Sequence, residues 1–290
     1  PYFIQGDTGT QDNFPIWDDG PDLIPQYWIL SPFVIDDDGY GDYTWEEASN
    51  QEWCSGSGTW TDPYFIENVI INGQGLANCL EIRNSDVYFI IQNCSLYNSG
   101  SSSNNAGIYL YYVDNGKLIN NDCSDNNYNG MHLDHSDNNT ISGNNANNNI
   151  KGGFNFNYSN NNTILENTVS NNSFDGIFLN YCNNNTLSGN TVSNNYYDGI
   201  SLGYSYGNTL SGNTVIYNNQ AGIYIASCSN NTISGNNASN NNYEGIFLTE
   251  SNNNTLSGNN ACNNNFNGIS LGGYNNLIYN NTLINNGVNA

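Results

Sequence analysis

A glycine followed by an apolar residue recurs at Gly107, Gly130, Gly153, Gly176, Gly199, Gly222, Gly245 and Gly268, always 23 residues apart. Two further columns keep the same step: Leu118, Ile141, Ile164, Leu187, Leu210, Ile233 and Leu256, and then Cys123, Ala146, Val169, Val192, Val215, Ala238 and Ala261. A fixed period of this size is the mark of stacked repeats and limits the fold more than any other feature. Within a unit the apolar residues alternate, as in Ile177 and Leu179, which is the two-residue period of strands. About three short strands fit in each unit. The Asn, Gly, Ser and Asp between them tolerate left-handed backbone and bond their own turns.

One such unit has too few apolar groups to bury a core, whereas units stacked at about 4.8 Å bury a continuous one. The expected fold is all-β, a parallel β-helix solenoid of about ten 23-residue rungs, roughly 50 Å long. Ile108, Leu110, Ile177, Leu179, Ile200 and Leu202 should point inward. About 65 of the 290 residues are Asn, far above ordinary usage. Amide ladders of stacked Asn at the turns account for this, because backbone alone leaves groups unpaired there.

The phrases GI-x-L, NNT-[IL]-SGN and trailing SNN resemble the right-handed parallel β-helix repeats of the NosD-like and pectate-lyase-like superfamily, over roughly residues 60–290. The resemblance implies a right-handed helix but no single activity, since that fold hosts lyases, hydrolases, adhesins and structural proteins. Residues 54–100 also resemble the first rungs of archaeal-type surface proteins, which adds a cell-surface expectation. The expected organisation is an extension at 1–31, a cap at 32–62 and the β-helix at 63–290.

Arg83, Lys117 and Lys151 face 26 acidic residues, for a formal charge of −23. Nucleic acid and anionic membranes would be repelled. No apolar run approaches a membrane span, and no signal peptide is visible. A start at Pro1 without Met fits a processed mature chain or a trimmed one equally. Asn-x-Ser/Thr sequons stand at Asn93, Asn138, Asn157, Asn161, Asn171, Asn184, Asn230, Asn237, Asn253 and Asn280. Alternation turns Asn138, Asn161, Asn184, Asn230 and Asn253 to solvent as candidate glycan carriers, although a repeat ending in NNT also makes sequons by accident. Among the seven cysteines, Cys94 with Cys123 and Cys54 with Cys79 are disulfide candidates. Cys182 and Cys228 lie two rungs apart, about 9.6 Å, too far to bridge.

Residues 1 to about 60 lack the period. The stretch SPFVIDDDGYGDYTWEEASNQEW reads as a strand, a turn and a short helix from Thr44, with Trp45 and Ala48 covering the first rung. At the other end Leu277, Ile278, Leu283 and Ile284 lie on a rung with no visible cap. The extension carries apolar clusters at Tyr2, Phe3, Ile4, Ile16, Trp17, Tyr27, Trp28, Ile29 and Leu30. Donated to the open end of another copy, it would build head-to-tail filaments; folded back, it would cover its own helix.

Asp36, Asp38, Asp42 and Glu47 fall at calcium-loop spacing, with Tyr40 where Asp or Asn belongs, so an irregular Ca2+ site competes with a plain acidic turn. The stretch MHLDHSDN holds both histidines, His132 and His135, beside Asp134 and Asp137, with Asp114 one rung earlier. A solvated face is the plainer reading, and no Arg or Lys stands beside these acids in sequence, although the lyases this fold resembles use a basic proton acceptor. Asp175 and Asp198 share a column that looks like turn chemistry. The copper association of the NosD-like name does not transfer, because Met131 is the only Met. Tyr109, Phe178, Tyr224 and Phe247 form one outward aromatic column, and Tyr158, Tyr181 and Tyr204 another. Such rows imply a partner, either sugar rings or a neighbouring copy. The functional expectation is therefore an extracellular or cell-surface structural protein that self-assembles, with a carbohydrate-binding or carbohydrate-active β-helix as the alternative.

Overall fold

A computed structural model describes residues 27–287, and the chain there is a parallel β-solenoid. The GI-x-L strands stack into a ten-stranded sheet from Phe33–Asp36 to Ile269–Leu271, and the NT-[IL]-S strands into an eleven-stranded sheet from Cys54–Ser55 to Leu277–Tyr279. A third side is shorter, with strands at Trp28–Leu30, Val69–Asn72 and Ser95–Tyr97 and again from Asn145–Asn147 to Thr214–Ile216. Pairing between strands is parallel except where Cys54–Ser55 meets Tyr64–Glu67, in a turn that also holds the antiparallel bridge of Thr59 with Asp62. Successive rungs pair 23 residues apart, as Leu179 with Leu202.

Ile177, Leu179, Leu187 and Val192 are fully buried, each contributing about 1.5–3 kcal/mol. The repeating glycine is set by close approach: a Cβ on Gly199 would lie 2.2 Å from Val215 Cγ1 and 2.7 Å from the Gly222 carbonyl. At the corners the expected Asn ladders are present. Asn190 is typical: its amide nitrogen donates to Ile164 O and Asn213 Oδ1, both at 2.9 Å, while its Oδ1 accepts from the Asn167 amide at 2.9 Å.

The cap is a strand, a turn and the helix Trp45–Ala48. Thr44 starts the helix through a capping box: its hydroxyl accepts from Glu47 N, and Glu47 Oε2 accepts from Thr44 N at 2.8 Å. Trp45 is buried, stacks on Tyr64 at 5.0 Å and donates from Nε1 to Ser85 Oγ, closing the first rung.

The cap gives partners to most of the carboxylates at calcium-loop spacing. Asp36 Oδ1 accepts from Asp38 N and Asn84 Nδ2, Asp42 Oδ2 accepts from Val34 N, and Glu47 serves the helix start. Asp36, Asp42 and Glu47 thus bond backbone and turn while Asp38 is exposed, and among the described residues no three His, Cys, Asp or Glu side chains gather as a metal site.

The extension is corrected in part. Trp28–Leu30 pairs with Val69–Ile71 of its own chain, so this segment covers its own first rung, with Tyr27 and Ile29 exposed. Tyr2, Phe3, Ile4, Ile16 and Trp17 lie outside the described residues. Leu277, Ile278, Leu283 and Ile284 on the last described rung are exposed.

The disulfide pairings do not form: all seven cysteines are free and buried. Ser95 stands opposite Asp122, which sets Cys94 opposite Asn121 and Cys123 opposite Leu96. The extra residues at 99–105 lengthen this rung, so Ile82 pairs with Leu110, and the 23-residue arithmetic misses the register here. Cys54 pairs with Ile66 on the eleven-stranded sheet, while the Cys79 thiol lies against the Tyr97 carbonyl on the third side. Cys182 and Cys228 alternate with Ser159, Ser205 and Ser251 in one corner column, where sulfur accepts the backbone N–H as the hydroxyl does. Burial pushes the Cys54, Cys79, Cys94 and Cys182 thiols up to about 12, which keeps them protonated.

Candidate functional site

The outer face of the ten-stranded sheet is set by register. One column runs Glu81, Tyr109, His132, Asn155, Phe178, Ser201, Tyr224 and Phe247; the next runs Asp36, Arg83, Tyr111, Asp134, Asn157 and Asn180. Charged and imidazole side chains crowd toward the first rungs, from Asp36 to His132 and Asp134, and later rungs of these columns carry Asn, Phe, Ser, Gly and Tyr224. Arg83 stands beside Glu81 and Asp36 and opposite Tyr111, while Asp134 lies one rung beyond Tyr111. Arg83 is paired to Glu81, and that bond, with the Glu81 and Asp36 charges, outweighs the opposing effect of burial and raises the pKa of the guanidinium.

Tyr109 is buried, not an exposed platform, and its ring stacks on His132 at 4.8 Å. Burial, reinforced by the Asp134 charge, pushes the Tyr109 phenol up. His132 is also buried, and desolvation lowers its pKa, so the imidazole is neutral near pH 7. Asn157 Nδ2 lies 3.2 Å from His132 Nε2, and with the amide donating, the ring proton sits on Nδ1. Asn104 of the inserted loop approaches the ring with its backbone but makes no hydrogen bond of normal geometry to Nδ1. These two rings form a floor that orients the partly exposed Tyr111, Asp134, Asn155 and Asn157.

Beyond the strand ends the chain turns through a left-handed residue, and here five rings stack. Tyr112, His135, Tyr158, Tyr181 and Tyr204 follow at 4.7, 4.9, 5.0 and 4.9 Å, with interplanar angles of 6–23°. All five have φ between 48° and 54°. Other left-handed corners in this chain carry mainly Asn or Gly, the residues that adopt it cheaply. Bulky residues held there store strain, a feature that concentrates at functional sites. Tyr112 and His135 also stand five residues after the repeating glycine, which places them in the column of the three tyrosines, a membership the sequence reading did not draw. Because the rings cover one another's faces, the ladder offers a partner edges and hydroxyls.

The ladder borders a groove of about 790 Å³, whose opposite wall carries Asp86, Asp114 and Asp137. Asp114 Oδ1 accepts from Asp137 N at 2.8 Å, so these carboxylates also cap the next rung's backbone. Burial and the neighbouring Asp137 raise the Asp114 pKa. His135 Nδ1 lies 2.8 Å from Asp134 Oδ1, tying the ladder to the sheet face.

The predicted second column is only partly continuous. Phe178 stands between Asn155 and Ser201, while Tyr224 and Phe247 pack at 5.5 Å. Among the sequon residues, Asn93, Asn138, Asn161, Asn171, Asn184, Asn230, Asn253 and Asn280 are exposed; Asn237 is half-buried and Asn157 is engaged with His132.

Residues 53–215 match the profile of the right handed beta helix region. The chain belongs to the right-handed β-helix family. Residues 155–290 of this β-helix protein are also similar to the family described as periplasmic copper-binding protein (NosD). That span holds neither histidine nor Met131; its three cysteines, Cys182, Cys228 and Cys262, are all buried and stand on separate rungs, and burial raises the pKa of the Cys182 and Cys228 thiols. Its side chains do not fit copper, which takes imidazole, thioether or thiolate.

Among solved structures, the β-helix is similar to the Azotobacter vinelandii mannuronan C-5 epimerase AlgE6 A-module, at 15% identity and TM-score 0.60 over 75% of this chain and 73% of that one. It is similar to the bacteriophage CBA120 tailspike protein 2 enzymatically active domain at 14% identity and TM-score 0.57, over 74% of this chain and 37% of that one. The Dettilon tailspike protein matches at 15% identity and TM-score 0.55, over 90% of this chain and 60% of that one. At such identities the likeness is one of fold. The resemblance to archaeal-type surface proteins finds no support in these matches, and no curated protein matches the sequence. No helix among the described residues is long and apolar enough to cross a membrane.

Proposed function

We propose that this β-helix binds a polysaccharide along the outer face of the ten-stranded sheet, between the groove at Asp114 and Asp137 and the ring of Phe178. One observation carries the reading. The chain has only three Lys or Arg and two His in 290 residues, and three of these five lie within three neighbouring rungs: Arg83 opposite Tyr111, His132 one rung further on, and His135 at the corner beside Asp134. There they lie among Tyr111, Asp134 and Asn157, a set of donors and acceptors suited to sugar hydroxyls. The mannuronan epimerase and the tailspikes named above lend support through their common fold, and the epimerase through the polysaccharide in its name. The periplasmic description of the NosD family and the phage origin of the tailspikes support a place in the cell envelope or outside the cell.

Self-assembly into filaments is the weaker reading, because Trp28–Leu30 is already paired within its own chain. Affinity electrophoresis through gels containing single polysaccharides, neutral and uronic, tests the proposal. At least one polymer should retard the protein, and Arg83→Ala and Asp134→Ala should each reduce that retardation. Free migration of the wild type through every gel would overturn it.

A further inference from the structure

A smaller cavity of about 210 Å³ opens on the same sheet, on the side where the strands begin. It is lined by Asn129, Lys151, Phe174, Asp175 and Phe178, and by Asn157, which links it to His132. Asn129 is 1% exposed; its Oδ1 accepts from Gly152 N at 3.1 Å, but its amide nitrogen has no partner. A buried donor left unpaired is unfavourable, and a ligand oxygen would satisfy it.

Asp175 Oδ1 accepts from Asp198 N at 3.0 Å, and among the described residues its Oδ2 carries no hydrogen bond. Lys151 Nζ rests 3.1 Å from the centre of the Phe174 ring, so the one cation here is held by an aromatic face. Phe178, unlike the ladder tyrosines, has no aromatic neighbour in its column, with Asn155 and Ser201 on either side.

We propose that this cavity is a subsite for one neutral sugar ring of the chain bound along the sheet, an inference that rests on the polysaccharide reading. Its volume is below the roughly 300 Å³ at which drug-sized sites begin, which suits a single ring. The Phe178 ring meets the C–H face of the sugar, Asn129 donates to a hydroxyl or carbonyl oxygen, and Asp175 accepts from a hydroxyl. With one carboxylate against one ammonium the cavity gives net advantage to neither anion nor cation. Burial lifts Asp175 to about 6, with the Asp198 N–H and Lys151 pulling it down, in keeping with a carboxyl that works by hydrogen bonding.

The test is a titration of the ¹⁵N-labelled full chain with D-glucose, D-galactose, D-mannose and N-acetyl-D-glucosamine, with D-glucuronate as the charged probe, following the Asn129 side-chain amide. At least one neutral sugar should shift that amide saturably and glucuronate should not. Phe178→Ala, which leaves the Asn129 and Asp175 corner bonds in place, should weaken the shift-derived affinity roughly tenfold. An amide unmoved by all four sugars, or moved equally by glucuronate, would overturn the subsite. Arg83→Ala separates the two proposals. Loss of polymer retardation with the amide shift retained supports both, whereas polymer retardation without any amide shift sinks the subsite alone. An amide shift in a chain that no polymer retards sinks the polysaccharide reading, and with it the assignment of the cavity to a bound chain.

Discussion

Asp198 shows how one residue can carry a cost that its fold position imposes. It is 9% exposed, its Oδ1 accepts from Ala221 N at 2.8 Å, and desolvation, then the Asp175 charge, lifts it to about 7. A carboxyl whose folded pKa lies above its unfolded value takes up protons on folding, so stability is greatest below about pH 4 and falls as pH rises to about 7. Asn can keep the bond, as Asn129 does to Gly152 in the same column. Asp198→Asn should therefore stabilise the protein at pH 8 by on the order of 2 kcal/mol and flatten the decline between pH 4 and 7, read by urea denaturation across pH. An unchanged pH slope would show that Asp198 ionises freely in the fold. The residue scale is also where sequence reading both succeeded and failed. The 23-residue column already aligned Tyr158, Tyr181 and Tyr204, and the same arithmetic reaches His135 and Tyr112. Arg83 beside Tyr111 was hidden, because the insertion at 99–105 sets that pair 28 residues apart and no periodicity reports an insertion's length.

The elements are held in register by corners more than by strands of three or four residues. Asn190 is satisfied on every side by neighbours above and below, whereas Asn184, six residues earlier, is an exposed left-handed corner with φ 57°. The repeated NNT-[IL]-SGN phrase thus contains two kinds of Asn with opposite tolerance. Asn190→Leu should cost on the order of 3–5 kcal/mol, since it strands the Ile164 carbonyl and both the backbone and side-chain N–H groups of Asn167. Asn184→Gly should change stability by less than about 0.5 kcal/mol, because glycine adopts the same backbone freely. Chemical denaturation of the two variants decides it, and equal losses would mean that the ladder is ornament to the strand pairing. Strand type, inward columns and Asn ladders were all legible because stacking forces each residue to repeat its neighbour's job. The pairing of Trp28–Leu30 was not, since three apolar residues outside the repeat fit an edge of either end.

Across the whole molecule, a formal charge of −23 surrounds a face where three of the five Lys, Arg and His side chains gather. The long-range field repels anions while the local patch bonds hydroxyls, and salt separates the two terms. The screening length falls from about 10 Å at 0.1 M to about 3 Å at 1 M, so distant repulsion fades while contact hydrogen bonds on a partly buried face persist. Retardation by a neutral polysaccharide should therefore hold within roughly twofold over that range, and retardation by a polyuronate should be weakest at 0.1 M and rise with salt. A polyuronate retained most strongly at low salt would mean that Arg83 and Lys151 outweigh the field around them, and that the face selects anionic chains. This outcome would reject a neutral ligand while leaving the location of the site intact, because the same residues would do the binding by charge in place of hydrogen bonds.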